Sequence, residues 1–122
     1  MKLALALSLA AVLGCYHLRQ VSFTSGESVA PPTYTERCST CHGATGRGDG
    51  LAGQSLDPRP RDFASPEWQA HTTDARIEAV IRGGGAAVGL SPLMPAQPDL
   101  SRWQMRALVT WIRQVGESGG SE

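Results

Sequence analysis

The motif Cys38-Ser39-Thr40-Cys41-His42 limits the possible folds of this chain more than any other part of its sequence. Two thiols three positions apart lie on one face of a helical turn, close enough to add to the two vinyl groups on one edge of a haem. The histidine that follows is then held beneath the ring, where its Nε2 can bind the iron as the proximal ligand. We therefore predict one covalently bound haem c, attached through Cys38 and Cys41 and ligated by His42.

The size of the chain gives such a cofactor a role in the fold. At 122 residues the chain has room for one small domain, and its 14 glycines and 8 prolines predict short helices and long loops. Domains of roughly 70–80 residues or fewer usually need a disulfide, a metal or a cofactor to hold them together. A covalent haem would supply the apolar centre of a core that is otherwise too small.

The charge balance argues against nucleic acid as a partner. The 11 basic and 11 acidic residues cancel, whereas nucleic-acid binding needs a clustered basic surface.

A glycine pattern in the chain is not evidence for a nucleotide ligand. Residues 48–53 (GDGLAG) fit the pattern G-x-G-x-x-G, but the dinucleotide fingerprint requires a preceding strand within a βαβ unit. Because the cysteine motif precedes these glycines instead, we expect them to let the backbone turn closely past the cofactor. We predict neither a nucleic-acid nor a nucleotide ligand.

The sequence gives weaker support to two other uses of the cysteines, a zinc site and a thioredoxin-like dithiol. A zinc site needs two more cysteines or histidines at paired spacing, and His17 and His71 are isolated from each other and from the motif. A thioredoxin-like dithiol needs a strand before the motif, where this chain has Pro31 and Pro32. A dithiol oxidoreductase without haem remains as an alternative interpretation.

The first residues have the pattern of an export signal. Lys2 precedes an apolar run over residues 3–13, which is shorter than the roughly 20 residues of a transmembrane helix and matches the hydrophobic region of a signal peptide. Residues 12–15 (VLGC) resemble the lipobox of bacterial lipoproteins, which implies cleavage before Cys15 and a lipid on its sulfur. A buried structural cysteine after an ordinary signal peptide is the alternative.

These patterns divide the chain into four segments. We predict a lipoprotein-type signal peptide over residues 1–14, a lipid-anchored flexible tether over 15–32, a folded domain over 33–115 and a disordered tail over 116–122. The mature protein is expected outside the cytoplasm, in the periplasm, held at the membrane by its lipid. Cleavage would remove Lys2, the only lysine of the chain.

Hydrophobic periodicity predicts helices and no convincing strand, so the expected fold class is all-α. The first helix is expected from about residue 33 or 35 to Cys41, with a threonine cap. The second begins after Thr73 and ends at the glycines of residues 83–85. The last begins at Ser101 with a capping box. It is expected to bury an apolar stripe, flanked by Trp111, that is formed by Met105, Leu108, Val109, Ile112 and Val115.

The stretch over residues 38–50 (CSTCHGATGRGDG) resembles the haem-binding segment of small bacterial class I c-type cytochromes. Residues 93–95 (LMP) and the closing helix match the same family, and the similarity covers about residues 34–115. The resemblance implies a cytochrome c fold, in which three to four short helices and long loops wrap around one covalently bound haem. It also implies single-electron transfer as the activity. Trp103 departs from the acidic residues that the family often has at this place.

The resemblance implies a histidine on one side of the iron and usually a methionine on the other. Met94 is the favoured sixth ligand because it lies in a loop whose flanking prolines restrict its freedom. Met105 lies on the stripe of the last helix, where core packing explains it. His71 and His17 are weaker candidates, and an open sixth site is the remaining alternative.

The proline-rich stretch over residues 56–63 is expected near the proximal side of the haem. In the family a proline carbonyl accepts the second N–H of the ligand histidine, which implies Pro58 or Pro60 without deciding between them. Arg59 and Arg61 either pair with the haem propionates or remain solvated.

Two aromatic residues follow in the same region. Phe63 and Trp68 are expected to cover a haem edge, although packing in the core would also explain them. No other residue of this stretch is assigned to the cofactor.

Together these observations predict a one-electron carrier, rather than an enzyme, whose partners are redox proteins or a membrane respiratory complex. Within that class, the sequence leaves open a free shuttle and a fixed subunit of a respiratory or dehydrogenase complex. A haem enzyme or gas or redox sensor with an open or labile sixth site is the alternative from another class. Because no lysine would remain after cleavage, we expect docking through an apolar patch with scattered arginines.

Overall fold

Helices joined by loops make up the part of the chain that the structure describes. The computed structural model describes residues 28–119, and no strand occurs within them. The all-α prediction is therefore confirmed, with five α-helices in this range where three to four were expected. They are α1 (Pro32–Arg37), α2 (Ser39–His42), α3 (Pro66–His71), α4 (Asp74–Gly83) and α5 (Arg102–Gly119), and a 3-10 helix spans Ala86–Val88. The predicted signal peptide, Cys15 and His17 lie outside the described residues.

Helix α1 begins on a pair of prolines. Pro32 occupies its first position, where the missing N–H would have no partner in any case and the fixed φ suits a helix. The carbonyl of Pro31 accepts hydrogen bonds from the amides of Tyr34 and Thr35, and no side chain caps the helix. The predicted threonine cap is wrong because the helix starts before either threonine that was considered for it.

The end of the predicted tether is part of the folded structure. Trp111, on α5, donates its indole N–H to the carbonyl of Ser28 at 2.9 Å, and Ala30 packs against the core. Within the described residues, contacts with the core therefore extend back to Ser28, inside the segment over residues 15–32 that the sequence assigns to the tether. The indole makes a polar contact while its rings stay buried, as the sequence predicted for this residue.

Helix α5 packs against α1 and provides half of the core. The ring centroids of Tyr34 and Trp111 lie 4.0 Å apart, which joins the first and last helices directly. Six of the twelve buried residues lie on one stripe of α5, as its periodicity predicts. The core consists of Tyr34, Phe63, Ala64, Ile77, Ile81, Leu100, Met105, Leu108, Val109, Trp111, Ile112 and Val115.

The predicted starts of α4 and α5 are confirmed by their hydrogen bonds. The Thr73 hydroxyl accepts from the amide of Arg76, and α4 then buries Ile77 and Ile81. The Ser101 hydroxyl accepts from the amide of Gln104, while the Gln104 side chain accepts from the amide of Ser101. This reciprocal pair is the capping box that the sequence indicates.

The end of α5 differs from the prediction. The helix continues to Gly119, so the first four residues of the predicted disordered tail are helical. Gly116 lies against the side chain of Gln69, and Gly119 lies against Ala64, in both cases too closely for a Cβ. The two glycines therefore act as contact residues that let α5 approach α3 and the loop before it, rather than as helix breakers.

Helix α3 was not predicted from the sequence. The Ser65 hydroxyl caps it by accepting from the amide of Trp68, and Pro66 occupies its first position. Arg113 of α5 ties its end to α4, because the guanidinium donates to the Gln69 side chain at 2.6 Å and to the Asp74 carboxylate at 2.7 Å. These bonds hold three helices together at one side of the domain.

Candidate functional site

The two cysteines of the motif are free thiols at the junction of α1 and α2. Both are half-buried, and Cys38 packs against the core. The carbonyl of Cys38 accepts hydrogen bonds from the amides of Cys41 and His42, so the motif forms one turn of helix. Burial raises the pKa of the Cys38 thiol, and the neighbouring Arg37 opposes this effect. The structure therefore keeps both thiols unpaired and brings them together on a short, defined segment.

His42 closes this segment with a constrained imidazole. Its ring stacks on Phe63 with 4.9 Å between the centroids and 15° between the planes. Its Nδ1 is buried and has no hydrogen-bond partner among the described residues. Burial lowers the pKa of His42, and the nearby backbone of Arg61 offsets part of that effect. When a histidine binds a metal through Nε2, Nδ1 is the nitrogen left for a hydrogen bond, and the nearby backbone of Arg61 is the polypeptide group available to it.

The backbone that acts on His42 differs from the expected one. Pro58 and Pro60 were the predicted carbonyl partners, whereas the pKa effect comes from the backbone of Arg61, the next residue along. The carbonyl of Pro60 instead faces Gly48, so closely that a Cβ at this glycine would overlap the oxygen. The predicted segment therefore lies beside the histidine, with the backbone effect on the pKa coming from one residue beyond Pro60, and the role of Pro58 or Pro60 stays a prediction.

A glycine-rich loop over residues 43–53 wraps around the end of α2. The amide of Gly48 donates to the carbonyl of His42 at 2.8 Å, and the amide of Ala52 donates to the carbonyl of Thr40 at 3.0 Å. Gly53 comes so close to the Cys41 carbonyl that a Cβ would overlap the oxygen. These glycines allow a close backbone approach to the cysteine motif, and within residues 28–119 no strand precedes them. The structure therefore gives no support to a dinucleotide-binding loop.

Phe63 has a more specific place than the sequence predicted. It is 7% exposed, its amide donates to the carbonyl of Gly46 at 2.8 Å, and its ring lies between His42 and Trp68. The centroids of Phe63 and Trp68 are 5.4 Å apart. Phe63 thus supports the histidine ring and fixes its tilt, which is a positioning role.

Met94 lies in a loop over residues 89–97, which we call the Met94 loop. Its carbonyl accepts from the amide of Gly85 at 3.0 Å, and the amide of Gln97 donates to the carbonyl of Ile81 at 2.9 Å. A Cβ at Gly85 would overlap the carbonyl oxygen of Ser91, so the loop sits directly on the glycines that end α4. Met94 itself is half-buried against the core. The loop is therefore anchored at its middle and its end.

The other methionine and histidine candidates are placed elsewhere. Met105 is 2% exposed within the core, as predicted for a packing residue. His71 is exposed at the end of α3, where its Nδ1 lies 2.7 Å from the carbonyl oxygen of Glu67. Of these candidates within residues 28–119, Met94 alone is half-buried in a loop, and its role as the sixth ligand stays a prediction.

The two arginines predicted near the propionates are exposed. Arg59 and Arg61 make no ion pair with any residue that the structure describes. Their guanidinium groups are therefore free of protein partners, which fits both interpretations that the sequence left open.

Two further contacts were missed by the sequence analysis. The hydroxyl of Tyr34 donates to the buried carbonyl of Gly43, directly after His42. Tyr34 is four positions before Cys38 on a helix, a spacing that could have placed it on the same face. Arg37 pairs with Asp99 at 2.9 Å and donates to Gln97 at 3.1 Å, which joins the cysteine motif to the end of the Met94 loop. No local signal predicts this second contact, because more than 60 residues separate its partners.

The residues present fit a covalently attached haem. Cys38 and Cys41 provide two unpaired thiols, His42 provides a constrained imidazole with a buried, unpartnered nitrogen, and Met94 provides a thioether in an anchored loop. By contrast, no three His, Cys, Asp or Glu side chains of residues 28–119 gather into a group that could hold a metal ion directly. Over the same residues, none of the helices has the length and apolar content needed to span a bilayer.

Comparison with known proteins agrees with this donor set. The family model described as cytochrome c matches residues 32–116, which includes every helix except the last turn of α5. Neither a curated protein nor a solved structure gave a match to the chain. The matched region holds the cysteine motif, Met94 and the whole core. The chain therefore belongs to the cytochrome c family, with an all-α cytochrome c fold, one covalently attached haem c and electron transfer as its general activity.

Proposed function

We propose that this protein is a monohaem cytochrome of the bacterial class I type that carries single electrons outside the cytoplasm. His42 and Met94 would bind its iron, and Cys38 and Cys41 would hold the haem through thioethers. A lipid on Cys15 keeps the protein at the membrane, where redox proteins or a respiratory complex exchange electrons with it. It catalyses no bond rearrangement of its own.

The arrangement of the cysteine motif is the observation that carries this proposal: Cys38, Cys41 and His42 share one helical turn, with both thiols unpaired. The Nδ1 of His42 is buried beside the backbone of Arg61, which leaves Nε2 as the nitrogen that would bind the iron. Phe63 stacks on the same ring and restricts its rotation. This arrangement suits a histidine that binds iron in one fixed orientation, whereas a solvated histidine would need neither contact.

Met94 is supported as the distal ligand by the way its loop is held. The backbone of Met94 is bonded to Gly85, while its side chain packs against the core without an assigned polar contact. A thioether is a soft ligand that favours ferrous iron, so His/Met ligation raises the reduction potential above that of a bis-histidine site. Both axial positions would then be filled by the protein, which leaves no open site for a substrate.

The mechanism depends mainly on ligand residues that keep fixed positions. Haem, when bound, supplies an iron that gains and loses one electron. His42 is oriented by Phe63, and the Met94 loop is fixed to α4 through Gly85, so neither ligand has to move when the charge changes. The core formed by α1 and α5 excludes water from one side of the site and lowers the local dielectric. Small rearrangement in a dry site is what rapid one-electron exchange requires.

Partner contact is proposed through exposed apolar residues. Leu51, Leu90 and Leu93 are 85%, 47% and 58% exposed, and the last two belong to the Met94 loop. Exposed leucines on a loop that carries a ligand suit a transient, largely apolar contact. Because apolar contacts are little affected by salt, we expect association rates that depend weakly on ionic strength.

The ligand assignment is tested with two matched methionine variants. Met94→Leu removes the proposed ligand sulfur, and Met105→Leu removes a sulfur from the core with nearly unchanged volume. We expect the far-red sulfur-to-iron charge-transfer band of the oxidised protein to disappear in Met94→Leu and to persist in Met105→Leu. Carbon monoxide binding to the reduced protein should appear only in Met94→Leu. A wild-type protein that already binds carbon monoxide and lacks the band would contradict an electron carrier and favour the haem enzyme or sensor.

A further inference from the structure

A shallow apolar groove runs along the outer side of α5, away from the cysteine motif in sequence. It has a volume of about 390 Å³ and is lined by Val29, Pro31, Trp103, Arg106, Thr110 and Trp111, among others. We call it the Trp103 groove. Val29 and Trp103 are 90% and 76% exposed, the highest exposures among the large apolar side chains on this side. The proposed electron carrier has no use for these residues, so they require another explanation.

The chemistry of the Trp103 groove is apolar and basic. The guanidinium carbon of Arg106 lies 5.6 Å from the centre of the Trp103 ring, which places a cation over the aromatic face. Arg106 is the charged residue of the lining, and no acidic side chain contributes to it. Arg102 precedes Trp103 and is also exposed; it lies outside the groove, in a neighbouring depression that Arg106, Asp74 and Glu78 also line, and among the described residues neither arginine forms an ion pair with these acids. An exposed indole beside arginines is typical of a surface that meets the headgroup region of a bilayer.

The place where the chain enters the domain indicates a bilayer as the occupant of the groove. Ser28, the first described residue, accepts a hydrogen bond from Trp111 at the floor of the groove. The 27 residues before it include the apolar run over residues 3–13 and Cys15. The chain therefore enters the domain at the Trp103 groove, so a lipid on Cys15 would tether the domain by this side. Negatively charged headgroups are the complement of Arg102 and Arg106.

We propose that the Trp103 groove is a membrane-docking face that seats the domain on an anionic bilayer, with Trp103 inserted among the headgroups and the two arginines beside phosphates. The proposal rests on the proposed lipid anchor, which keeps this face near the bilayer. Docking by this side fixes the orientation of the domain, so the Met94 loop is presented in a constant direction to a partner in the same membrane.

The test uses the full chain, matured with haem and reconstituted into vesicles. Ala107→Cys places a thiol in the groove, and Ala79→Cys places one at an exposed position of α4 as the control. Each is treated with a charged, membrane-impermeant maleimide on phosphatidylcholine vesicles and on vesicles that also contain phosphatidylglycerol. The reaction is followed by mass on the peptide that contains the introduced thiol.

We expect the anionic vesicles to slow the reaction at position 107 by about fivefold or more and to leave position 79 unchanged. Adding Trp103→Ala or Arg106→Gln to Ala107→Cys should restore the rate, and both changes affect exposed side chains, so the fold should survive. Equal rates at position 107 on the two kinds of vesicle would overturn the proposal.

Flotation of the same samples separates this proposal from the anchor. A chain that floats with neutral vesicles and reacts equally at position 107 on both kinds of vesicle has the anchor but no docking face. A chain that fails to float with neutral vesicles has no anchor. In that case, protection at position 107 on anionic vesicles still decides whether the Trp103 groove binds an anionic bilayer.

Discussion

Replacing Tyr34 with phenylalanine removes one buried hydrogen bond and leaves the surrounding packing in place. The Tyr34 hydroxyl donates to the carbonyl of Gly43, next to His42, while its ring lies 4.0 Å from that of Trp111. Phenylalanine keeps the ring contact. The buried Gly43 carbonyl loses this donor and keeps the longer bond from the amide of Gly46 at 3.3 Å, so we expect Tyr34→Phe to cost about 1–2 kcal/mol.

The assay is equilibrium unfolding of the haem-bound protein in guanidinium chloride, followed by far-UV circular dichroism. Ser39→Ala is the matched control, because it also removes a hydroxyl donor to a backbone carbonyl, that of Thr35, but at an exposed position. We expect a loss of less than about 1 kcal/mol there, since water replaces an exposed hydrogen bond. Equal losses for the two variants would refute the argument that burial sets the cost.

The same variant predicts a change in pH dependence. The pKa of Tyr34 is raised above its ordinary value of 10.0, mainly because burial disfavours the phenolate, and the charges of Cys38 and Asp49 act in the same direction. Cys38 carries no charge once it is a thioether, so burial is the main cause in the haem-bound protein. Above about pH 10 the unfolded chain releases a proton that the folded chain keeps, and the wild type loses stability as the pH rises. Tyr34→Phe should show a shallower decline, and a decline of unchanged slope would contradict the reasoning.

Two further predictions concern the Met94 loop. Arg37→Gln breaks the exposed ion pair with Asp99. We therefore expect faster amide hydrogen exchange at the end of this loop, with little change in global stability. Unchanged exchange would show that the ion pair does not restrain the loop. Gly85→Ala places a Cβ against the carbonyl of Ser91. We therefore expect the free energy of unfolding to fall by about 1–3 kcal/mol and the sulfur-to-iron band to weaken. A band and a stability equal to those of the wild type would contradict the observed contact.

The sequence predicted best what local chemistry decides. Thr73 and Ser101 were identified as helix starts because a hydroxyl that caps a helix binds an amide only two or three residues away. The apolar stripe of α5 was predicted because it repeats over about three turns. The cysteine motif was interpreted from five adjacent residues. In each case the signal lies within a few residues of the feature that it specifies.

Features that depend on distant residues were missed or misplaced. Helix α3 has six residues and no repeating apolar face, so only Ser65 and Pro66 indicate it. Gly116 and Gly119 were interpreted as the end of order, because their contacts with α3 and the loop before it are invisible in the sequence. The shift from a proline to Arg61 beside His42 is of the same kind. It depends on how a loop passes a ring some twenty residues earlier in the chain.

The arrangement around His42 explains why a short chain folds this way. The two closest ring contacts among the described residues join Tyr34 to Trp111 and Phe63 to His42, so His42 is built into the packing of the core. The glycine-rich loop over residues 43–53 and the Met94 loop, which are far apart in the sequence, supply the remaining parts of the candidate site. A core of twelve buried residues is small for a domain of this length, and a covalently attached, largely apolar ring would complete it.

Mass spectrometry of the peptide that contains Cys38 and Cys41 tests the central claim most directly. The protein is matured together with an export and haem-attachment system, denatured, extracted with acidified acetone and digested. The account predicts that this one peptide retains the mass of a single haem and remains coloured, and that Cys38→Ala combined with Cys41→Ala abolishes both. A colourless wild-type peptide with two unmodified thiols would contradict it.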